Sequence, residues 1–260
     1  MRGGRLGRFL RRIVFSRKFG RRKTQKAGWV PVKDIRANVH RVRERLARAA
    51  ERVGRRPEEV KLIAVTKNVS VEHIREALAA GVTALGENRV QEALPKAKAL
   101  GPGVEWHFIG HLQTNKVKYL VEWVSCLHSL DRLRLAEELE KQGARSGRDW
   151  SVLVQVNVTG ESTKFGLSPS ELKLFLEEIA RFPHVKVRGL MTIGPLSEDP
   201  EEVRPVFRRL RQMAEEIARE GWPGVSMEHL SMGMSNDFEV AVEEGATMVR
   251  IGTAIFGARG

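Results

Sequence analysis

The sequence predicts an α/β protein in which eight strands alternate with helices and close into a single (β/α)8 barrel. Three observations carry that expectation: eight short runs of strand character, a helical or turn-rich segment after nearly every one, and too few residues after Gly252 for a second domain. Such alternation has two solutions, an open doubly wound sheet or a closed barrel. The open sheet divides into halves about a switch point, whereas near-equal units favour closure, which leaves no edge strand.

Pro31 marks the start of the body, giving a basic extension over 1–30 and one domain over 31–260. Over 34–53, Ile35, Val39, Val42, Leu46 and Ala49 recur at helical spacing, and Gly54 is a natural stop. The first strand, 60–66, ends against Lys67, and the helix over 71–80 ends at Gly81. A second strand over 83–87 leads into a helix over 88–100, with Pro95 as an expected interruption. The third strand covers 105–110, and a short helical piece starts at Thr114. The fourth, 123–129, precedes a helix over 131–142.

The fifth strand, 151–157, is followed by a longer loop over 158–168. There Ser168 is placed to cap a helix with Pro169 as its first residue and Glu171 completing a capping box. The sixth strand covers 185–191, and a long helix after Pro200 runs to Glu220. The seventh covers 226–231, a short helix lies near 238–244, and the eighth covers 247–251.

Composition narrows the function. The chain has 45 Lys and Arg against 32 Asp and Glu, a net charge of +13. Eleven of those bases and no acids lie in residues 1–30, so the body is nearly neutral. The tail is not a secretory signal, because Arg11 and Arg12 interrupt its apolar stretch. Its remaining readings are a nonfunctional extension, a targeting leader, or an arm making weak polyanion contact with nucleic acid or anionic lipid. The one cysteine, Cys126, sits in an apolar run and cannot form an internal disulfide, which points to a reducing, cytoplasmic setting. No stretch approaches the roughly 20 apolar residues that a membrane span needs.

A barrel gathers the carboxyl ends of its strands on one face, where such proteins place their sites. Lys67 at the end of the first strand reads either as an ordinary charged exit from the core or as an amine for carbonyl chemistry. Asn88, in Gly86-Glu87-Asn88-Arg89, reads as a helix cap or as a ligand contact. Ser231-Met232-Gly233-Met234-Ser235-Asn236-Asp237 is either a loop capped by Asp237 or an anion cradle of backbone amides and hydroxyls. Arg250-Ile251-Gly252-Thr253 is a second candidate, since the glycine permits close backbone approach. Together they favour a phosphate held between the seventh and eighth strands. His107 and His111 lack a zinc-site partner set in the sequence, and His111 fits better beside a planar ligand. There is no Walker pattern, no GxGxxG after the first strand and no GxSxG.

Lys67, Gly86-Glu87-Asn88, the run from Phe108 to Lys116, His128-Ser129-Leu130-Asp131 and the segment 231–237 form an ordered set that closely resembles the YggS/PROSC family of pyridoxal 5'-phosphate homeostasis proteins. The resemblance covers about 34–259; the basic tail departs from it. It implies a (β/α)8 barrel like the N-terminal domain of alanine racemase, holding pyridoxal phosphate covalently on Lys67 as a Schiff base. It further implies phosphate contacts from Ser231, Gly233, Ser235, Gly252 and Thr253, with Arg250 near the pyridine nitrogen and Asn88, Met191, His111 and Ser129 completing the pocket.

The function implied is that of a cofactor carrier in vitamin B6 and amino-acid homeostasis, exchanging with small amines or amino acids and delivering to apoenzymes, as a monomer or weak oligomer. A pyridoxal-phosphate racemase or lyase is the alternative. The one tyrosine, Tyr119, is expected on a helix away from the strand ends, and an arginine at the ring nitrogen weakens the ring as an electron sink. Both weigh against turnover.

Overall fold

The computed structural model describes residues 34–161 and 163–257; the basic tail lies outside them. Eight parallel strands close into a barrel in sequence order: β1 (Lys61–Val65), β2 (Ala84–Glu87), β3 (Glu105–Phe108), β4 (Cys126–Leu130), β5 (Trp150–Gln155), β6 (Val185–Met191), β7 (Val225–Ser231) and β8 (Met248–Ile251). Closure is made by β8 on β1, with Lys61 opposite Met248 and Ala64 opposite Ile251.

Around the barrel run α1 (Ile35–Arg52), α2 (Val71–Ala79), α3 (Val90–Leu100), α4 (Leu133–Ser146), α5 (Leu172–Ile179), α6 (Arg204–Ala218), α7 (Phe238–Glu243) and α8 (Thr253–Phe256). Three 3-10 segments, Pro57–Glu59, Thr114–Tyr119 and Pro200–Val203, sit before β1, after β3 and before α6 among the described residues. The helix α1 starts where Asp34 accepts the Ala37 N–H at 2.8 Å, buries the predicted apolar stripe and packs on α7 and α8.

Several boundaries differ from the sequence reading for local reasons. Pro95 does not interrupt α3, which runs through it to Leu100. The fourth strand begins at Cys126 because Trp123 and Val124 turn back, their N–H groups donating to the Leu120 carbonyl. The capping box forms only in part: Glu171 accepts the Ser168 N–H at 2.9 Å and its hydroxyl at 2.6 Å, but α5 starts at Leu172. Ser168 and Pro169 therefore lead into the helix from outside it.

Strand alternation sorts the side chains into two layers. Ala64, Leu85, Trp106, Phe108, Leu127, Val249 and Ile251 face outward and join the large core under the helices. Ile63, Ala84, Cys126, Leu153, Met191 and Met248 form a separate inner cluster. The interior is only partly apolar, because His107, His128, Ser231 and Arg250 are also buried and linked there by hydrogen bonds. At one place the wall has no room for a side chain: Gly189 has φ 151°, and a Cβ there would come within 1.8 Å of the His229 carbonyl oxygen.

Candidate cofactor site

At the carboxyl ends of the strands lies a cavity of about 620 Å³. Its walls are Val65 and Lys67 after β1, Asn88 after β2, Ile109 after β3, the loop after β6, residues Met234–Asp237 after β7, and Arg250, Gly252 and Thr253 at β8. Among the described residues, no helix is long and apolar enough to cross a membrane.

Lys67 is half-buried and stands two residues beyond β1. Its ammonium makes no hydrogen bond or ion pair among the described residues. The next residue, Asn68, has φ 57°, the only positive φ outside glycine among the described residues, and donates its N–H to Glu92 at 3.1 Å. That bend turns the chain away from the cavity immediately after the lysine.

Asn88 does not cap α3; that position belongs to Arg89, and Asn88 faces the cavity instead. Its buried Oδ1 has no hydrogen-bond partner among the described residues. A buried amide oxygen left open in this way is costly unless something else meets it. Glu87 points the other way, outside the barrel, where Thr66 and Lys96 bond to it.

The loop after β7 folds back on itself. Asp237 does not cap α7 with its side chain; its Oδ1 accepts the Met234 N–H at 2.5 Å, and burial raises its pKa. Ser235 Oγ accepts the Ala254 N–H at 3.2 Å, tying the two phosphate-candidate loops together. The backbone N–H groups of Ser235, Asn236 and Gly252 donate to no other group among the described residues. These three residues, on adjoining loops, all line the cavity, and unused backbone donors of this kind can meet an anion.

Arg250 reaches the cavity from the barrel interior, donating from Nη1 to Ser231 Oγ at 2.6 Å and from Nη2 to the Thr192 carbonyl at 2.8 Å. Burial pulls its pKa down to about 10, opposed by the nearby Asp237 charge.

Five expected contacts stand off the cavity wall. Met191 is fully buried in the inner cluster, below the site. The Ser231 hydroxyl is also fully buried, engaged with Arg250 and His128 rather than directed at an anion. Gly233 packs on α7, where a Cβ would come within 2.6 Å of Ala241 Cβ and 2.9 Å of Phe238 Cα. Ser129 donates to the Gly110 carbonyl at 2.6 Å. Gly110 in turn presses on Asn88, whose carbonyl oxygen would be 2.3 Å from a Cβ at position 110. His111 stacks on Phe165 at 4.1 Å between centroids, with Nδ1 3.4 Å from Asp131, so its flat face already has a partner.

Other residues were not foreseen. Ile193, Pro195, Leu196 and Ser197 line the cavity from the loop after β6, and Leu196 is 96% exposed. Their sequence signal is an apolar pair set in a Gly-Pro loop. His107, Cys126 and His128 meet inside the barrel, with candidate ligand atoms within 4.8 Å of one another. Their signal was alternation on neighbouring strands rather than spacing along one segment. Burial pushes the Cys126 thiol up to about 12, which disfavours the thiolate a metal would bind.

Comparison with known proteins agrees with this geometry. Residues 35–260 match the family described as alanine racemase, N-terminal domain. The pyridoxal phosphate homeostasis protein of Aquifex aeolicus is 53% identical over 222 residues, which cover 85% of this chain and 96% of that protein. The protein of the same description from Escherichia coli K12 is 43% identical over 230 residues, covering 87% and 97%. Among solved structures, PipY of Synechococcus elongatus with PLP bound is 40% identical with a TM-score of 0.73, covering 83% of this chain and 100% of that one. Alanine racemase of Corynebacterium glutamicum, at 19% identity and a TM-score of 0.66, covers 87% and 62% and shares the fold. With these relatives and this barrel, the chain belongs to the alanine racemase N-terminal domain family and, within it, to the pyridoxal phosphate homeostasis proteins.

Proposed function

We propose that this protein binds pyridoxal 5'-phosphate covalently through Lys67 and serves as a carrier in vitamin B6 and amino-acid homeostasis. One observation carries the reading: a single cavity holds an unpaired lysine amine and a set of unused backbone donors on the loops after β7 and β8. An aldehyde joined to a phosphate suits that pair of features. When bound, the cofactor supplies an aldehyde carbon that passes reversibly between amines.

The chain's own residues divide the work of holding it. Lys67 Nζ is the amine. The N–H groups of Ser235, Asn236 and Gly252, with the Thr253 hydroxyl, are the phosphate donors; each such bond to an ionised oxygen is stronger than its neutral counterpart. Asn88 Oδ1 offers an open acceptor that would meet the cofactor from the cavity wall. Arg250 can only donate, so a ring nitrogen facing it stays unprotonated. Small amines or amino acids would displace Lys67, and PLP-dependent apoenzymes are the natural recipients.

Carriage rather than turnover is favoured by the side chains around the cavity. Tyr119 lies on the 3-10 segment after β3, 42% exposed and away from the cavity wall. Besides Lys67 and Arg250, the only ionisable side chain lining the cavity among the described residues is Asp237, which is committed to the Met234 N–H.

Borohydride reduction with the cofactor present, followed by peptide mapping, tests the link. Label is expected on the peptide containing Lys67 and absent from Lys67→Ala. Label elsewhere defeats the assignment, and conversion of any amino acid in a panel by the loaded protein favours the racemase or lyase alternative.

A further inference from the structure

Beneath the cavity, six polar side chains link five strands in a continuous series. Arg250 Nη1 donates to Ser231 Oγ at 2.6 Å, Ser231 Oγ lies 2.9 Å from His128 Nδ1, and His128 Nε2 lies 2.8 Å from His107 Nδ1. His107 Nε2 then lies 3.0 Å from Glu105 Oε1, which also accepts from Lys61 Nζ at 2.5 Å. The series runs from the cavity through the barrel to the amino ends of β1 and β3.

Its two ends fix its direction. A guanidinium has no acceptor and an ionised carboxylate has no donor. Glu105 is ionised at neutral pH: hydrogen bonding from His107 first, and from Lys61, holds its pKa down to about 2 against burial. His107 must therefore carry hydrogen on Nε2. A neutral His107 then accepts at Nδ1 from His128 Nε2–H, which leaves His128 Nδ1 to accept the Ser231 hydroxyl hydrogen. Ser231 Oγ is left with lone pairs for Arg250. Every donor in the series finds an acceptor, and neither imidazole is charged.

The opposite direction fares worse. It needs a protonated His107, with His128 Nδ1–H donating to a Ser231 oxygen that already receives Arg250, and it leaves the serine hydrogen without an acceptor among the described residues. Other charges and polar groups around the pair also oppose a proton there. Burial first, then repulsion from any positive charge on the neighbouring His107, Arg250, His229 and Lys61, lowers the His128 pKa well below its usual value. The remaining titratable neighbour, Cys126, is held as a thiol by burial.

We propose that His107, His128 and Ser231 are positioning residues that act through Arg250: they commit the serine hydrogen inward, so that Ser231 presents only an acceptor and fixes the guanidinium at the ring end of the cofactor cavity. The role assigned to Arg250 rests on the cofactor reading above, while the hydrogen-bond direction does not depend on it.

Two measurements separate these parts. Nitrogen-15 NMR of the cofactor-free protein at neutral pH should show both His107 and His128 as neutral Nε2–H tautomers. A charged ring or an Nδ1–H tautomer at either position overturns the direction, as does stoichiometric zinc in protein purified without added metal, because an ion at His107, His128 and Cys126 would part the two rings. In titrations with pyridoxal phosphate, Ser231→Ala should weaken retention roughly tenfold and shift the visible absorption of the bound cofactor, whereas Ser231→Thr keeps the wild-type band. Combining Ser231→Ala with Arg250→Met should cost no more than Arg250→Met alone. Additive losses, or an unmoved band in Ser231→Ala, overturn the positioning role. Failure of the wild type to take up cofactor would instead defeat the carrier reading and leave the NMR result standing on its own.

Discussion

Lys96 Nζ sits 2.7 Å from Glu87 Oε1 and 2.7 Å from the Thr66 carbonyl, joining α3 to the ends of β1 and β2 immediately behind Lys67. Thr66 donates to the same Oε1 at 2.6 Å, and Glu87 Oε2 is buried without a partner among the described residues. The pair holds two cavity-forming strand ends to one helix. Its carboxylate is fully buried, so the lysine is the charge that makes it tolerable.

Removing one partner of such a pair leaves an uncompensated buried charge. Lys96→Met should destabilise the protein by about 3–5 kcal/mol in urea unfolding. Adding Glu87→Gln should restore most of that loss, since the amide needs no counter-charge. An equal loss in the single and double variants would show that the lysine acts by packing alone.

Gly110 transmits shape from β4 to the cavity. Its carbonyl accepts from Ser129, and its Cα lies so close to Asn88 that an added methyl must displace the Asn88 backbone. Gly110→Ala is expected to cost about 1–3 kcal/mol and to weaken pyridoxal phosphate binding in the same preparation. Ser129→Ala removes one hydrogen bond and should cost about 1 kcal/mol with a smaller effect on binding. Calorimetry and cofactor titration together check both.

Acid stability should depend on Glu105. Its pKa is lowered from 4.5 to about 2, so its contribution is fully present above 4.5 and is lost as pH falls toward 2. Glu105→Gln is expected to flatten that part of the stability curve while leaving its shape above 4.5 nearly unchanged. Chemical unfolding repeated across that window gives the comparison.

Asp237 places a carboxylate beside the proposed phosphate donors, and burial raises its pKa. A raised carboxyl pKa means that stability is gained as pH falls through the folded value. Asp237→Asn keeps an acceptor for Met234 and removes the like charge. Inorganic phosphate should bind the variant several-fold more tightly, read as a larger phosphate-dependent rise in Tm than in the wild type.

Sequence patterns made the barrel legible because buried parallel strands appear as short apolar runs bounded by glycine and polar residues. The same punctuation exposed Lys67, Asn88, Ser235, Arg250, Gly252 and Thr253, which all line the cavity. Ser231 and Met191 were harder. Both belong to strands, where a single position decides between wall and interior, and no sequence pattern locates the end of a strand that finely. The stacking of His111 was not legible because its partner, Phe165, comes from a loop far along the chain. The apolar lip at Ile193 and Leu196 left only a faint mark, an apolar pair in a Gly-Pro loop, which does not announce which side chains turn toward a cleft.

The left-handed bend at Asn68 also sets which side chains fit there without strain. Glycine and asparagine occupy that basin readily, while most other side chains incur roughly 1–2 kcal/mol of strain. Glycine would give up stiffness beside the amine, and a branched residue would push the backbone elsewhere. Replacing Asn68 with a branched side chain is therefore expected to disturb Lys67, not through any contact of its own with a ligand but because its neighbour's direction depends on it.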